Sequence, residues 1–204
     1  MIRLICADLS ALTRADYEAL YRRASAERKS RADRYFRYED SLRCVAADAL
    51  VRMALGTDRY TVEKNPEGKP RIPEFPDFHY NLSHAGSWVV IAFGQTCVGV
   101  DVERHDRSTD YPLIARRFFS PDEQQALAEA ADPARCFYKI WTGKESYIKY
   151  LGTGLKKDLR SFSIHNLEGG VKLFTPQLAD GYSLSLCTTE DHYSLELLEG
   201  QRLR

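Results

Sequence analysis

The sequence predicts an α+β protein in two halves, each with helices and a few mostly antiparallel strands. Three observations carry this. The stretches 39 to 55 and 134 to 150 have helical periodicity and end at glycines. Two apolar runs, 88 to 93 and 97 to 103, flank the turn Gly94-Gln95-Thr96, as in a strand pair. The tail from 162 to 198 alternates in short pieces, as strands do. A charged, polar stretch from 103 to 110 marks a boundary, giving subdomains 1–104 and 105–204.

Taken in order, residues 2 to 7 read as a short strand. Residues 13 to 31 read as one helix, with Tyr17, Leu20 and Tyr21 at spacings of three and four. In 39 to 55, Leu42, Val45, Ala46, Ala49, Leu50 and Met53 form an apolar stripe, and Gly56 is the stop. Residues 64 to 79 hold Pro66, Pro70, Pro73, Pro76 and Gly68, which predicts a loop with extended pieces. Asn81-Leu82-Ser83-His84-Ala85-Gly86 is read as the entrance to the buried strand at 88 to 93, with Asn81 closing the loop through its own backbone. Ser120-Pro121-Asp122-Glu123 is a helix start: serine as N-cap, proline at the first position, glutamate at the third. The helix after Pro133 is ended by Gly152 and Gly154.

Bulk properties exclude several functions. Lys plus Arg equals Asp plus Glu at 29 each, so a nonspecific nucleic-acid binder is not expected. The five cysteines are scattered without a CxxC pair, which argues against a disulfide framework or structural zinc. No stretch reaches the roughly 18 apolar residues of a membrane span, and the start is too short for a signal peptide. A cytoplasmic location without membrane contact is expected.

The chemistry concentrates in two places. Along 97 to 103, alternation puts Val98, Val100 and Val102 on one face and Gly99, Asp101 and Glu103 on the other. The two carboxylates are then about 6–7 Å apart at the backbone, pointing the same way. Like charges so close repel unless a cation lies between them. Gly99 is read as leaving room for a ligand. In the second place, Trp141, Glu145 and Lys149 recur every four residues, on one side of a helix. Alone, each cluster fits a solvated surface. Together, three carboxylates can hold Mg²⁺ (Mn²⁺ is the alternative ion), and the lysine one turn away can face phosphate. Arg28, Lys29, Arg31, Arg43 and Lys69 supply cations for a ligand with several phosphates. A metal-dependent phosphohydrolase or nuclease, or a nucleotide-binding module without catalysis, would also suit these residues.

The blocks Asn-Leu-Ser-His at 81–84, Gly-Val-Asp-Val-Glu at 99–103, Arg-Phe-Phe-Ser at 117–120 and Trp-Thr-Gly-Lys-Glu-Ser-Tyr-Ile-Lys at 141–149 occur in that order. They resemble the signature of 4′-phosphopantetheinyl transferases of the longer, surfactin-synthetase-activating class, and Gly68-Lys69-Pro70 resembles a further block. The resemblance covers about 28 to 154. It implies two similar subdomains related by a pseudo-twofold axis, with coenzyme A at their junction. It implies transfer of the 4′-phosphopantetheine arm to a serine of an apo carrier protein by a monomer.

Carried over residue by residue, Asp101, Glu103 and Glu145 match the metal acids, and Glu145 the general base. Lys149 matches a pyrophosphate contact, Lys144 a cofactor-side neighbour, and Ser83 and His84 phosphate contacts. Arg28, Arg31, Arg43 and Lys69 match positions near the nucleotide. Ala85 departs from a common small hydroxyl residue, and Arg28 and Arg31 from common lysines. The stretch 107 to 119, with Tyr111, Leu113, Ile114, Phe118 and Phe119, is the expected carrier-facing segment.

Overall fold

The computed structural model describes residues 1–106 and 108–204. The first strand, β1 (Ile2–Asp8), buries side chains on both faces, which suits an interior strand. Two short helices follow. Thr13 and Asp16 form a capping box that opens α1 (Arg14–Arg23), and the Ser25 side chain accepts from Arg28 N–H to open α2 (Ala26–Ala32). The single helix expected over 13 to 31 is therefore two, because Ala24 is extended and Ser25 caps a new start. The long helix α3 (Tyr38–Leu55) ends as expected at Gly56, whose φ of 70° lies in the left-handed region that glycine tolerates.

The proline-rich stretch holds a small hairpin, β2 (Glu63–Lys64) with β3 (Pro70–Arg71). Next, β4 (His79–Ala85) is a full strand paired with β5 (Trp88–Gly94), where the sequence predicted only a strand entrance. Its polar residues hid it, because they face a neighbouring strand's backbone rather than a core. Strand β6 (Val98–Arg104) precedes three helices, α4 (Tyr111–Phe118), α5 (Pro121–Ala128) and α6 (Pro133–Leu151). The capping box read at Ser120 and Glu123 is present. The tail forms β7 (Lys172–Phe174), β8 (Tyr182–Thr188) and β9 (Tyr193–Glu199).

The larger sheet has the order β4-β5-β1-β9 and the smaller β6-β8-β7. Among the described residues only β1 with β9 is parallel; the other pairs are antiparallel. Ile2, Leu4, Cys6, Val90 and Ala92 of the larger sheet meet Val98, Val100, Val102, Leu184 and Leu186 of the smaller in one buried layer. Leu20, Val45, Leu50 and their neighbours cover the other face of the larger sheet, and α6 covers the other face of the smaller. The result is an α/β/β/α sandwich in which each half packs a long helix on a small sheet. The halves also exchange strands. β6 ends at residue 104 yet pairs with β8, and β9 returns to pair with β1.

Candidate active site

The site lies where the two sheets meet edge to edge. β4 and β6 run side by side, but side chains replace the backbone ladder between them. Asn81 Oδ1 accepts from Val100 N–H at 2.9 Å, and Ser83 Oγ accepts from Val102 N–H at 3.3 Å. Asn81 therefore does not close a loop on itself; it satisfies a buried donor of the neighbouring strand. This splice sets the height of Asp101 and Glu103 against Ser83 and His84.

Gly99 serves the same assembly. A Cβ there would lie 2.0 Å from Ser146 O and 2.3 Å from Tyr150 N. The space that glycine leaves is filled by the backbone of α6, not by a ligand as the sequence suggested. Close approach of α6 to β6 brings Glu145 and Lys149 to the acids of the strand. Thr142 to Ser185 at 2.8 Å and Ser146 to Cys187 at 3.2 Å fix the helix on β8.

One cleft is lined by Ser83, His84, Asp101, Glu103, Trp141, Glu145 and Lys149. The ammonium of Lys149 donates to Asp101 Oδ1 at 2.6 Å and to Ser83 Oγ at 3.1 Å, while Ser83 donates to the same Oδ1 at 2.8 Å. Burial, then the charge of Asp101, push the Glu103 carboxyl up to about 7, against the pull of Lys149 and a hydrogen bond from Trp141. Burial and Asp101 also raise Glu145, again opposed by Lys149. Trp141 thus anchors Glu103. The sequence held the clue, its spacing of four from Glu145, but residue type alone gave it no role.

This donor set fits a hard divalent cation. Asp101 Oδ2 is buried and takes no hydrogen bond, and each glutamate is destabilised as an anion by burial and then by the aspartate beside it. As the side chains stand, no three His, Cys, Asp or Glu among the described residues are gathered into a ready cage. Lys149 holds Asp101 in the meantime.

A second cleft of about 330 Å³ shares His84 and Lys149 with the first. Its walls carry Arg28, Arg31, Lys64 and Lys69 against one acid, Glu67. Lys64 is a cleft cation that the sequence reading missed; an exposed lysine in a proline-rich loop carries no distinguishing signal. Arg31 Nε donates to Tyr35 Oη at 3.2 Å. Lys69 gives two donors to Val98 O at 3.2 Å and Tyr150 O at 2.7 Å, which ties the β2–β3 hairpin to the end of α6 and leaves one donor for a ligand. Desolvation in the cleft, then Arg43, Lys149 and Arg31, hold the His84 imidazole below its ordinary value.

Of two other expected cofactor residues, Lys144 stands away from the cleft, and Arg43 lies beside it, near enough that its charge acts on His84. Lys144 is fully buried. Its three donors go to Glu123 Oε2, Leu159 O and Phe162 O, each at 2.7 Å, so none remains for coenzyme A. Being adjacent to Glu145 on a helix turns it about 100° away, into the core. Arg43 donates to Gly86 O at 2.7 Å and pairs with Asp40 at 2.5 Å, lining a neighbouring groove with Tyr38 and Leu42. In the expected carrier-facing stretch, Arg107 lies outside the described residues. Leu113 is exposed, Tyr111, Ile114 and Phe118 are half-buried, and Phe119 is wholly buried in the core of α4 to α6. Phe119 therefore offers nothing to a partner.

Residues 97–201 match the sequence profile of the 4′-phosphopantetheinyl transferase superfamily. The chain is 34% identical to a 4′-phosphopantetheinyl transferase of Bacillus subtilis, over 88% of this chain and 82% of the relative. It is 32% identical to 4′-phosphopantetheinyl transferase Sfp of Bacillus subtilis (strain 168), over 83% and 84% of the two chains. It is 33% identical to 4′-phosphopantetheinyl transferase ffp of Bacillus subtilis, over 89% of each. With this match over most of its length, the chain belongs to the 4′-phosphopantetheinyl transferase superfamily.

Proposed function

We propose that this transferase takes the 4′-phosphopantetheine arm from coenzyme A and places it on a serine of an apo carrier protein, releasing 3′,5′-ADP. The observation that carries the reading is the meeting of the two clefts. A basic cleft suited to a nucleotide with several phosphates opens beside a three-carboxylate cleft, and His84 and Lys149 belong to both. A phosphate group at the shared wall would have cations on one side and the candidate base on the other.

In this reading Asp101, Glu103 and Glu145 hold Mg²⁺, which supplies charge neutralisation at phosphate oxygens when bound. Lys149 exchanges its contact with Asp101 for the pyrophosphate. His84 contacts phosphate from the β4 side, and Arg28, Arg31 and Lys69 hold the nucleotide end. Glu145 accepts the proton of the serine hydroxyl. The serine oxygen forms a bond to the phosphorus next to the pantetheine arm, and the bond to 3′,5′-ADP breaks, its electron pair leaving with the nucleotide. Subdomain 1–104 then serves the nucleotide, and 105–204 contributes the base.

We also read the enzyme as a cytoplasmic monomer. Its five cysteines are unpaired, and among the described residues no helix is long and apolar enough to cross a membrane. The phosphohydrolase, nuclease and non-catalytic readings find no support in the family match.

Mass spectrometry of several apo carrier proteins incubated with the enzyme, coenzyme A and Mg²⁺ tests the proposal. The expected result is a gain of one phosphopantetheinyl group on at least one carrier. Glu145→Gln should lose about 10²–10⁴-fold in turnover, as for removal of a general base. Wild-type turnover in that variant would sink the assignment.

A further inference from the structure

We propose that Asp48 is a positioning residue for coenzyme A: its buried carboxylate braces Arg28 at the wall of the basic cleft, leaving the outer donors of that guanidinium for the nucleotide phosphates. The inference rests on the reading of that cleft as the coenzyme A site.

Asp48 lies on α3 and is 1% exposed. It does not line the cleft; its helix neighbours Cys44 and Ala47 do. Oδ1 accepts from Tyr60 Oη at 3.0 Å and pairs with Arg28 Nε at 3.7 Å. Oδ2 lies 3.4 Å from Arg52 Nε, and Arg52 in turn donates through Nη1 to Arg23 O at 3.2 Å. Among the described residues, the side chain of Arg28 has no other ion pair and no hydrogen bond. Its backbone is held as well, since Cys44 Sγ points at Arg28 O and Ser25 receives Arg28 N–H.

This arrangement solves a problem of charge. A lone aspartate behind a phosphate-binding arginine would cancel the charge that phosphate needs. Here Asp48 is shared by two guanidiniums, and Arg52 also lies 3.6 Å from Asp58, which pairs with Arg23; this alternating row of three arginines and two aspartates keeps one net positive charge. Arg52 is buried between two aspartates and neutralised within the row, and Arg28 is the end of the row that faces the cleft. Arg28 is meanwhile held through Nε, and the entropy of ordering its side chain is lost at folding rather than at binding. Its two terminal nitrogens remain as a fork for phosphate.

The test is a double-mutant cycle on coenzyme A kinetics with an apo carrier. Asp48→Asn keeps the volume and removes the charge. The expected result is a rise in KM for coenzyme A of about tenfold, the size of one charge-assisted contact, with kcat within about twofold. Arg28→Ala should raise KM by at least as much, and Asp48→Asn added to Arg28→Ala should change nothing further. An additive rise in the double variant, or a loss in kcat instead of KM, overturns the positioning role. If Asp48→Asn does not fold, Asp48→Asn with Arg52→Gln removes the buried pair together and replaces it with neutral groups. The same rise in KM then supports the inference, and an unchanged KM overturns it. An unchanged KM in Arg28→Ala sinks the reading of the cleft itself. A raised KM there with none at Asp48 sinks only the positioning role.

Discussion

Replacing Lys144 by methionine separates a structural lysine from a ligand-binding one. The ammonium sits in the core between Glu123 and the carbonyls of Leu159 and Phe162, with the Phe162 ring centroid 4.3 Å away. Glu123 also receives Ser120 N–H and Ile164 N–H, each at 2.8 Å, so one ion pair joins the start of α5, the middle of α6 and the loop after it. Methionine fills similar volume but donates nothing. Glu123, fully buried, would be left without its cation partner. Breaking one side of a buried pair costs about 3–5 kcal/mol, and two stranded carbonyls push toward the upper end. For a chain of this size that is a fall in Tm of about 6–20 °C. Urea unfolding followed by tryptophan fluorescence measures the loss directly. Coenzyme A binding by calorimetry, well below the new Tm, should stay within about threefold. Glu123→Gln added to Lys144→Met should recover part of the stability, because no buried charge is then left alone. A variant with wild-type stability and weakened coenzyme A binding would refute the reasoning and return Lys144 to the ligand site.

Three other perturbations probe the same framework. Gly99→Ala drives a methyl into the backbone of α6 and should cost about 3 kcal/mol or more, with loss of transfer because Glu145 and Lys149 ride on that helix; chemical denaturation and a transfer assay report both. Asn81→Ala strands the buried Val100 N–H and should cost about 1–3 kcal/mol; a melting curve unchanged from wild type would show that the splice between β4 and β6 adds no stability. His84 has its pKa held low by the cleft and its cations, so it is largely neutral near pH 7 and gains a proton only below its ordinary value. Phosphate binding should raise that pKa, so coenzyme A should bind tighter as pH falls from 8 toward 6, with proton uptake. Calorimetry in buffers of different ionisation heat detects the uptake, and His84→Gln should abolish it.

Much of this molecule follows from local rules that a linear sequence states. Helix periodicity and the glycine at 56 place α3 to its last residue, and Ser120 with Glu123 writes the capping box of α5. Alternation puts Asp101 and Glu103 on one face, and spacing of four aligns Trp141, Glu145 and Lys149. Each of these depends on neighbours within one turn or two strand residues, so the chain alone determines them.

What only the tertiary structure decided are the contacts between residues far apart in sequence. Asn81 and Ser83 stand in for a backbone ladder with a strand about 20 residues away. Gly99 is small for a helix that arrives 47 residues later. Lys144 and Lys149 are the same residue type on the same helix, one turn and a half apart. A difference of five positions sends the first to a buried glutamate and the second to the cleft. Side-chain charge says that a partner is needed; only packing says which partner, and therefore which lysine reaches the cleft.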